Sequence, residues 1–186
     1  MRQNQRASIT GIGSYLPGKV LTNCDLEKMV DTSDDWIIQR TGIKERRIVE
    51  NGQITSDLAT QASLRAMEDA GVSPLDLDMI ITATITPDHI FPSTSCYIQQ
   101  KLGATRASAF DILAACAGFI YAMSIGQSFV NSGAMKTVLV VGAECLSTIT
   151  DYTDRTTCVL FGDGAGAVVI QKSSTKHEIL STSLAA

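Results

Sequence analysis

The run Ser108-Ala-Phe-Asp-Ile-Leu-Ala-Ala-Cys116-Ala-Gly-Phe-Ile-Tyr-Ala-Met123 changes character in its middle. Residues 108–113 read as a strand that runs straight into Ala114-Ala-Cys-Ala-Gly118. Phe119, Tyr121, Met123 and Phe129 then belong to a buried helix that stops near Gly133. Working outward, Met79 to Ile85 and Thr137 to Val141 are continuous apolar runs rich in β-branched residues, the pattern of strands covered on both faces. Helices are expected over Cys96 to Leu102 and over residues 55–70. In the latter, Leu58, Ala59, Ala62, Ala66 and Ala70 share one face and Gly71 follows as a C-cap. Ala7 to Ser14 reads as a strand ending at a turn with Pro17 and Gly18. Ser33 to Gln39 reads as a short helix capped by Ser33, with Asp34 and Asp35 in its first turn and Gly42 as its stop. Ala165 to Gln171 with Glu178 to Thr182 suggests a closing hairpin around Lys172 to Lys176. Strands alternating with helices imply a layered α/β domain with a mainly parallel sheet.

The 186 residues are 45% apolar and 18% charged, enough for one sizeable core and unlike a disordered chain or a coiled coil. No repeat, low-complexity tract or interdomain linker divides them. Nineteen acidic against fifteen basic residues leave a net charge of −4, so no global field draws the chain to nucleic acid or to an anionic membrane. The N-terminus has no apolar run of signal-peptide length, and the expected location is cytoplasmic. The uncharged stretch from Ile112 to Met135 is long enough to test as a membrane span. Its strand-like start and its Gln127, Ser128 and Asn131 favour a buried element instead. Five cysteines, at 24, 96, 116, 145 and 158, form no CxxC pair, so reduced thiols are expected and no zinc site.

Cys116 is the most informative of them. At a junction of strand and helix, the unpaired N–H groups of the first helical turn favour a thiolate, and small neighbours leave room for a substrate. The Cys116 N–H could also face a developing oxyanion. A packed, inert core thiol is the alternative reading of the same position. A cysteine nucleophile needs a base or a hydrogen-bonding partner, usually His. The only two, His89 in a loop and His177 in a polar turn, read as solvated, which hints that part of an active site lies outside these residues.

Trp36 to Arg47 holds the single Trp together with Arg40, Lys44, Arg46 and Arg47. A flat ring beside guanidinium groups suits a nucleotide, the ring stacking on a base while cations meet phosphates. A core-anchoring Trp and a solvated charge run account for the same residues. Phe161-Gly-Asp-Gly-Ala-Gly-Ala167 matches GxGxxA superficially, but Ala167 to Ile170 continues as a strand, so the dinucleotide reading fails on context. HExxH, GxSxG and GxxxxGK[ST] are absent from the sequence.

Taken together, Ser33-Asp-Asp-Trp36 through Thr41-Gly-Ile-Lys-Glu-Arg46, Phe91-Pro-Ser93, Ala114-Ala-Cys116-Ala-Gly-Phe119, Asp154-Arg155 and Phe161-Gly-Asp-Gly-Ala-Gly166 resemble successive motifs of β-ketoacyl-acyl-carrier-protein synthase III. The resemblance implies a thiolase-like fold, here a layered αβα half with a mainly parallel mixed sheet. It also implies an acyltransferase that starts type II fatty-acid synthesis. Cys116 would take an acyl group, commonly acetyl, from acyl-coenzyme A, and malonyl-acyl carrier protein would then condense with it. Thr32, Trp36, Arg40 and Arg155 would serve the coenzyme A tunnel, with Trp36 and Arg155 flanking the adenine. Leu146 and Phe161 would line the acyl pocket, and Phe91 would reach across a homodimer interface. Acyl-coenzyme A is then a substrate, and no resident cofactor or metal is implied.

Members of that family are about twice as long. The resemblance implies that their catalytic His and Asn and a glycine-rich loop lie in a C-terminal half beyond residue 186, so residues 1–186 read as an N-terminal half-domain with an apolar surface left open. Impaired condensation by this chain alone follows. The alternatives are a non-catalytic remnant that acts only by binding, and a related acyltransferase of secondary metabolism.

Overall fold

The computed structural model describes residues 6–50, 52–172 and 177–185. Along the chain run β1 (Ala7–Tyr15), β2 (Lys19–Thr22), α1 (Asn23–Leu26), α2 (Asp34–Thr41), β3 (Glu45–Ile48) and α3 (Thr55–Ala70). They are followed by β4 (Met79–Ala83), α4 (Thr94–Leu102), β5 (Ser108–Ile112), α5 (Gly118–Ser132), β6 (Thr137–Cys145) and β7 (Asp163–Lys172). Five strands form one sheet in the order β1-β7-β6-β4-β5. β4 pairs parallel with both β5 and β6, whereas β7 runs antiparallel to β6 and β1. Four strands therefore point one way and β7 alone is reversed, which is the mixed, mainly parallel sheet of a layered α/β fold.

Period-two alternation sends side chains of one strand to two separate cores. Ile80, Leu139, Val141 and Val169 join the helices α3 and α4 in one. Met79, Ile81, Val138, Val140 and Ile170 meet α5 in the other. All five residues of β4 are buried, as expected for a strand covered on both faces, although it ends at Ala83 and leaves Ile85 exposed. β6 continues four residues past Val141 to Cys145.

Close approach is paid for in side-chain size. A Cβ at Gly11 would land on the Ala66 carbonyl, and one at Gly13 on the Ala62 carbonyl, so β1 can lie against the alanine face of α3 only with glycine at both places. That face is the one expected, with Leu58, Ala59, Ala62 and Ala66 buried and Gly71 ending the helix in the left-handed conformation.

Two expectations need correction, and one pair of strands is new. No hairpin closes on β7: His177 and Ile179 bond across to Ile9 and Ala7, on the other edge of β1, and Ser173 to Lys176 of the expected turn lie outside the described residues. β2 and β3 form an unforeseen two-stranded ribbon, whose Glu-Arg-Arg-Ile strand carries no apolar alternation to betray it. Finally, α5 is buried only along Gly118, Ala122, Gly126 and Val130; Phe119, Tyr121, Met123 and Phe129 are half-buried and Ile120 is exposed. Its small residues fit it to the sheet while its larger ones ride at the sides and on the open face. Among the described residues, no helix is long and apolar enough to cross a membrane.

Gly13→Ala should destabilise the chain by about 3 kcal/mol or more in urea unfolding followed by circular dichroism, because backbone rather than a yielding side chain blocks the new methyl. Gly166→Ala in β7, with nothing within 4 Å, should change stability by less than about 0.5 kcal/mol.

Candidate active site

Cys116 lies just beyond the carboxyl end of β5, in a single 3₁₀ turn, Ala115–Ala117, that leads directly into α5. The α-helix itself starts two residues later than a helical reading of Cys116 requires. The first donors of such a turn have no acceptor within it. Ala115 takes φ 44°, in the left-handed region that a residue with a Cβ adopts only under constraint from its surroundings. Neighbouring glycines supply that constraint. A Cβ on Gly118 would stand 3.1 Å from the Ala83 side chain, and one on Gly142 3.1 Å from the Phe119 ring, so the start of α5 sits hard on the ends of β4 and β6.

The thiol is exposed, which removes the packed-core reading, and it opens on a cleft of about 560 Å³. Leu146 and Phe161 line this cleft, and Ile85 and Ile149 join them. Phe91 does not: it sits on an outlying loop with Ile90, at 87% and 101% exposure. His89 stacks obliquely on Tyr97, its ring 5.6 Å away, and neither it nor the exposed His177 lines the cleft.

Carboxylates fasten the loops around the cleft by accepting backbone N–H groups. Glu144 accepts from Ile85 N at 2.8 Å, from Thr86 N at 3.1 Å and from Thr86 Oγ1 at 2.6 Å. Buried Asp163 accepts from Val49 N, Ser147 N and Ser147 Oγ at 2.7, 2.8 and 2.5 Å, joining β7 to the turn that bears Leu146. Asp151 and Asp154 each turn the chain by accepting from the residue two positions on, and these bonds from Thr153 and Thr156 hold both carboxyls below their ordinary range.

Trp36, Arg40 and Arg155 come together as a second group. The Arg40 and Arg155 guanidinium carbons lie 4.3 and 4.9 Å from the Trp36 ring centre. Arg155 also donates to the Asp31 carbonyl at 2.8 Å, next to Thr32, whose buried hydroxyl has no hydrogen-bond partner among the described residues. Arg46 is different. It is 3% exposed and its guanidinium bonds Val159 O and Asn23 Oδ1, so it ties β3 to the satellite core of Leu26, Ile37, Cys158 and Val159 rather than meeting solvent anions. The charge run thus divides into one internal strut and outward groups, a division invisible in spacing.

Glu144, Ile149 and Asp151 were not anticipated at the site. Nothing in a strand ending Gly-Ala-Glu signals that the acid caps a neighbouring loop. Among the described residues, no group of three or more His, Cys, Asp or Glu side chains could hold a metal ion.

A family profile described as 3-oxoacyl-[acyl-carrier-protein] synthase III matches residues 110–186. A β-ketoacyl-[acyl-carrier-protein] synthase III of Caldanaerobacter subterraneus is 61% identical over 97% of this chain and 54% of its own length. The chain spans about half the length of the curated relatives it matches. Among solved structures, a 3-oxoacyl-[acyl-carrier-protein] synthase III from Aquifex aeolicus superposes with a TM-score of 0.89 and 58% identity, covering 91% of this chain and 55% of that one. The priming β-ketosynthase of the R1128 polyketide pathway gives a TM-score of 0.89 at 40% identity, covering 94% of this chain and 53% of that one.

Burial pushes the Cys145 thiol up to about 11 and the Cys158 thiol upward as well. Both thiols are thereby biased toward the protonated form, and burial denies reagent access. Iodoacetamide at pH 8 should therefore modify Cys116 in the folded chain and leave Cys145 and Cys158 untouched until denaturant is added, as read by peptide mass mapping.

Proposed function

We propose that this chain, which belongs with the β-ketoacyl-[acyl-carrier-protein] synthase III family as a counterpart of its N-terminal half, carries the acyl-accepting part of that family's condensation. The observation that bears most weight is an exposed thiol at the mouth of an apolar cleft, on a turn whose backbone is pinned by the close packing of Gly118 and Gly142.

In the first half-reaction, the Cys116 sulfur attacks the carbonyl carbon of an acyl-coenzyme A. A new carbon–sulfur bond forms, the bond to the coenzyme sulfur breaks, and coenzyme A departs with the proton. In this reading the backbone N–H of Cys116 faces the oxyanion that develops in the tetrahedral intermediate. Leu146 and Phe161, with Ile85 and Ile149, receive the acyl chain, and burial of each methylene contributes about 0.8 kcal/mol.

In the second half-reaction, malonyl-acyl carrier protein loses carbon dioxide. Its carbanion attacks the thioester carbonyl and releases Cys116. Neither His of this chain lines the cleft, so the groups that stabilise the developing enolate come from outside residues 1–186, and this chain by itself completes the first half-reaction only. Thr32, Trp36, Arg40 and Arg155 hold the nucleotide end of coenzyme A. Phe91, with its ring outside the fold, closes the cleft of a second protomer in a homodimer. Acyl-coenzyme A acts as a substrate, no resident cofactor enters this scheme, and the reaction belongs to the cytoplasm. A polyketide-priming role would use the same first half-reaction; the 61% identity to synthase III against 40% to the priming ketosynthase favours fatty-acid initiation.

Incubation with radiolabelled acetyl-coenzyme A should place label on the wild-type chain and none on Cys116→Ala; equal labelling would refute the assignment. Trp36→Ala combined with Arg155→Ala should weaken coenzyme A binding at least about tenfold in calorimetric titration, and unchanged affinity would remove these residues from the site.

A further inference from the structure

The wall of the cleft has a charge pattern that thioester exchange does not require. Its apolar side is built from Ile85, Leu146, Ile149 and Phe161, and among the described residues its only charged side chains are Glu144 and Asp151. No Lys, Arg or His lines it, and neither carboxylate belongs to an ion pair among the described residues. Their hydrogen bonds come from neutral donors. Glu144 is held by the Ile85 and Thr86 amides and by the Thr84 and Thr86 hydroxyls, and Asp151 by the Thr153 amide and hydroxyl. Such donors fix the carboxylates in place and leave their negative charge uncancelled.

Resting on the reading of this cleft as the acyl site, we infer that Glu144 and Asp151 make it reject acyl groups that end in a carboxylate. Cys116 is thereby reserved for neutral, apolar acyl thioesters. An acyl chain with its own anion would give up water to enter an apolar slot and then meet two like charges at its wall. A neutral chain of the same shape meets neither penalty. This is discrimination by a built-in repulsion rather than by fit. It also has a use in the proposed reaction, whose second substrate carries a carboxylate: the repulsion keeps the malonyl unit from occupying the thiol that must first receive the primer.

Succinyl-coenzyme A and 4-methylpentanoyl-coenzyme A test this, because a terminal carboxylate and an isopropyl group have nearly the same shape. Transfer of each radiolabelled acyl group to Cys116 is timed with the protein. The neutral group should transfer faster by about 100-fold at low salt, and raising the salt concentration should narrow the ratio. Asp151→Asn should shrink the ratio several-fold, and Glu144→Gln should do the same. Since Asp151 lies at the surface, its variant decides the matter if Glu144→Gln does not fold. Equal rates for the two groups in the wild type, or a ratio that neither salt nor Asp151→Asn changes, would overturn the repulsion while leaving acyl transfer standing. Failure of both groups to label Cys116 would overturn the acyl-site reading and this inference with it.

Discussion

Where α5 begins, the sheet leaves no space for a side chain. Gly118 faces Ala83, Gly142 faces Phe119, and a Cβ on Gly126 would come within 3.2 Å of Val138, Val140 and Ile170. Helix and sheet are thus in close contact from Gly118 to Gly126. Ala115 is driven into the left-handed region, and Cys116 is lifted to the carboxyl edge of the parallel strands. In open α/β sheets that edge is where ligands bind, because strand ends and helix starts converge there with unspent hydrogen-bonding groups. The place of the thiol at that edge thus goes with the close packing of Gly118 and Gly142 beside it.

The cleft depends on a second device, the use of acids as clamps. Asp111 accepts from Thr94 N and Ser95 N at the start of α4, and Asp88 does the same for Ser56 N at the start of α3. Glu144 and Asp163 repeat the arrangement at the cleft itself. Each bond satisfies a donor that the fold would otherwise leave unpaired, and bonds to ionised acceptors are the stronger kind. Loops that carry Ile85, Leu146 and Phe91 are held this way. The acidity that composition shows as a net charge of −4 is, in good part, this internal scaffolding.

What the sequence makes legible follows from what its patterns encode. The continuous apolar runs Met79 to Ile85 and Thr137 to Val141 mark central strands because both faces must be apolar, and the alanine face of residues 55–70 marks α3 because it repeats at helical spacing. Cys116 could be singled out because small residues surround it at a change of periodicity. Arg46 could not be separated from Arg40, since burial of one guanidinium and exposure of the other are decided by Asn23 and Val159, at distant points of the chain. The same holds for Glu144, whose partners lie about sixty residues away, and for the path of Glu178 to β1 rather than β7. Trp36, Arg40 and Arg155 gather into one group, a juxtaposition that spacing alone left open.

The central claim is that one sulfur carries the acyl group between two substrates. A titration of the coenzyme A thiol released when acetyl-coenzyme A is mixed with the protein, in the absence of any malonyl donor, tests it most directly. The account requires a rapid burst of about one equivalent of thiol per chain that then stops, and none from Cys116→Ser. Release that continues without a burst, or a burst that survives the loss of Cys116, would contradict it.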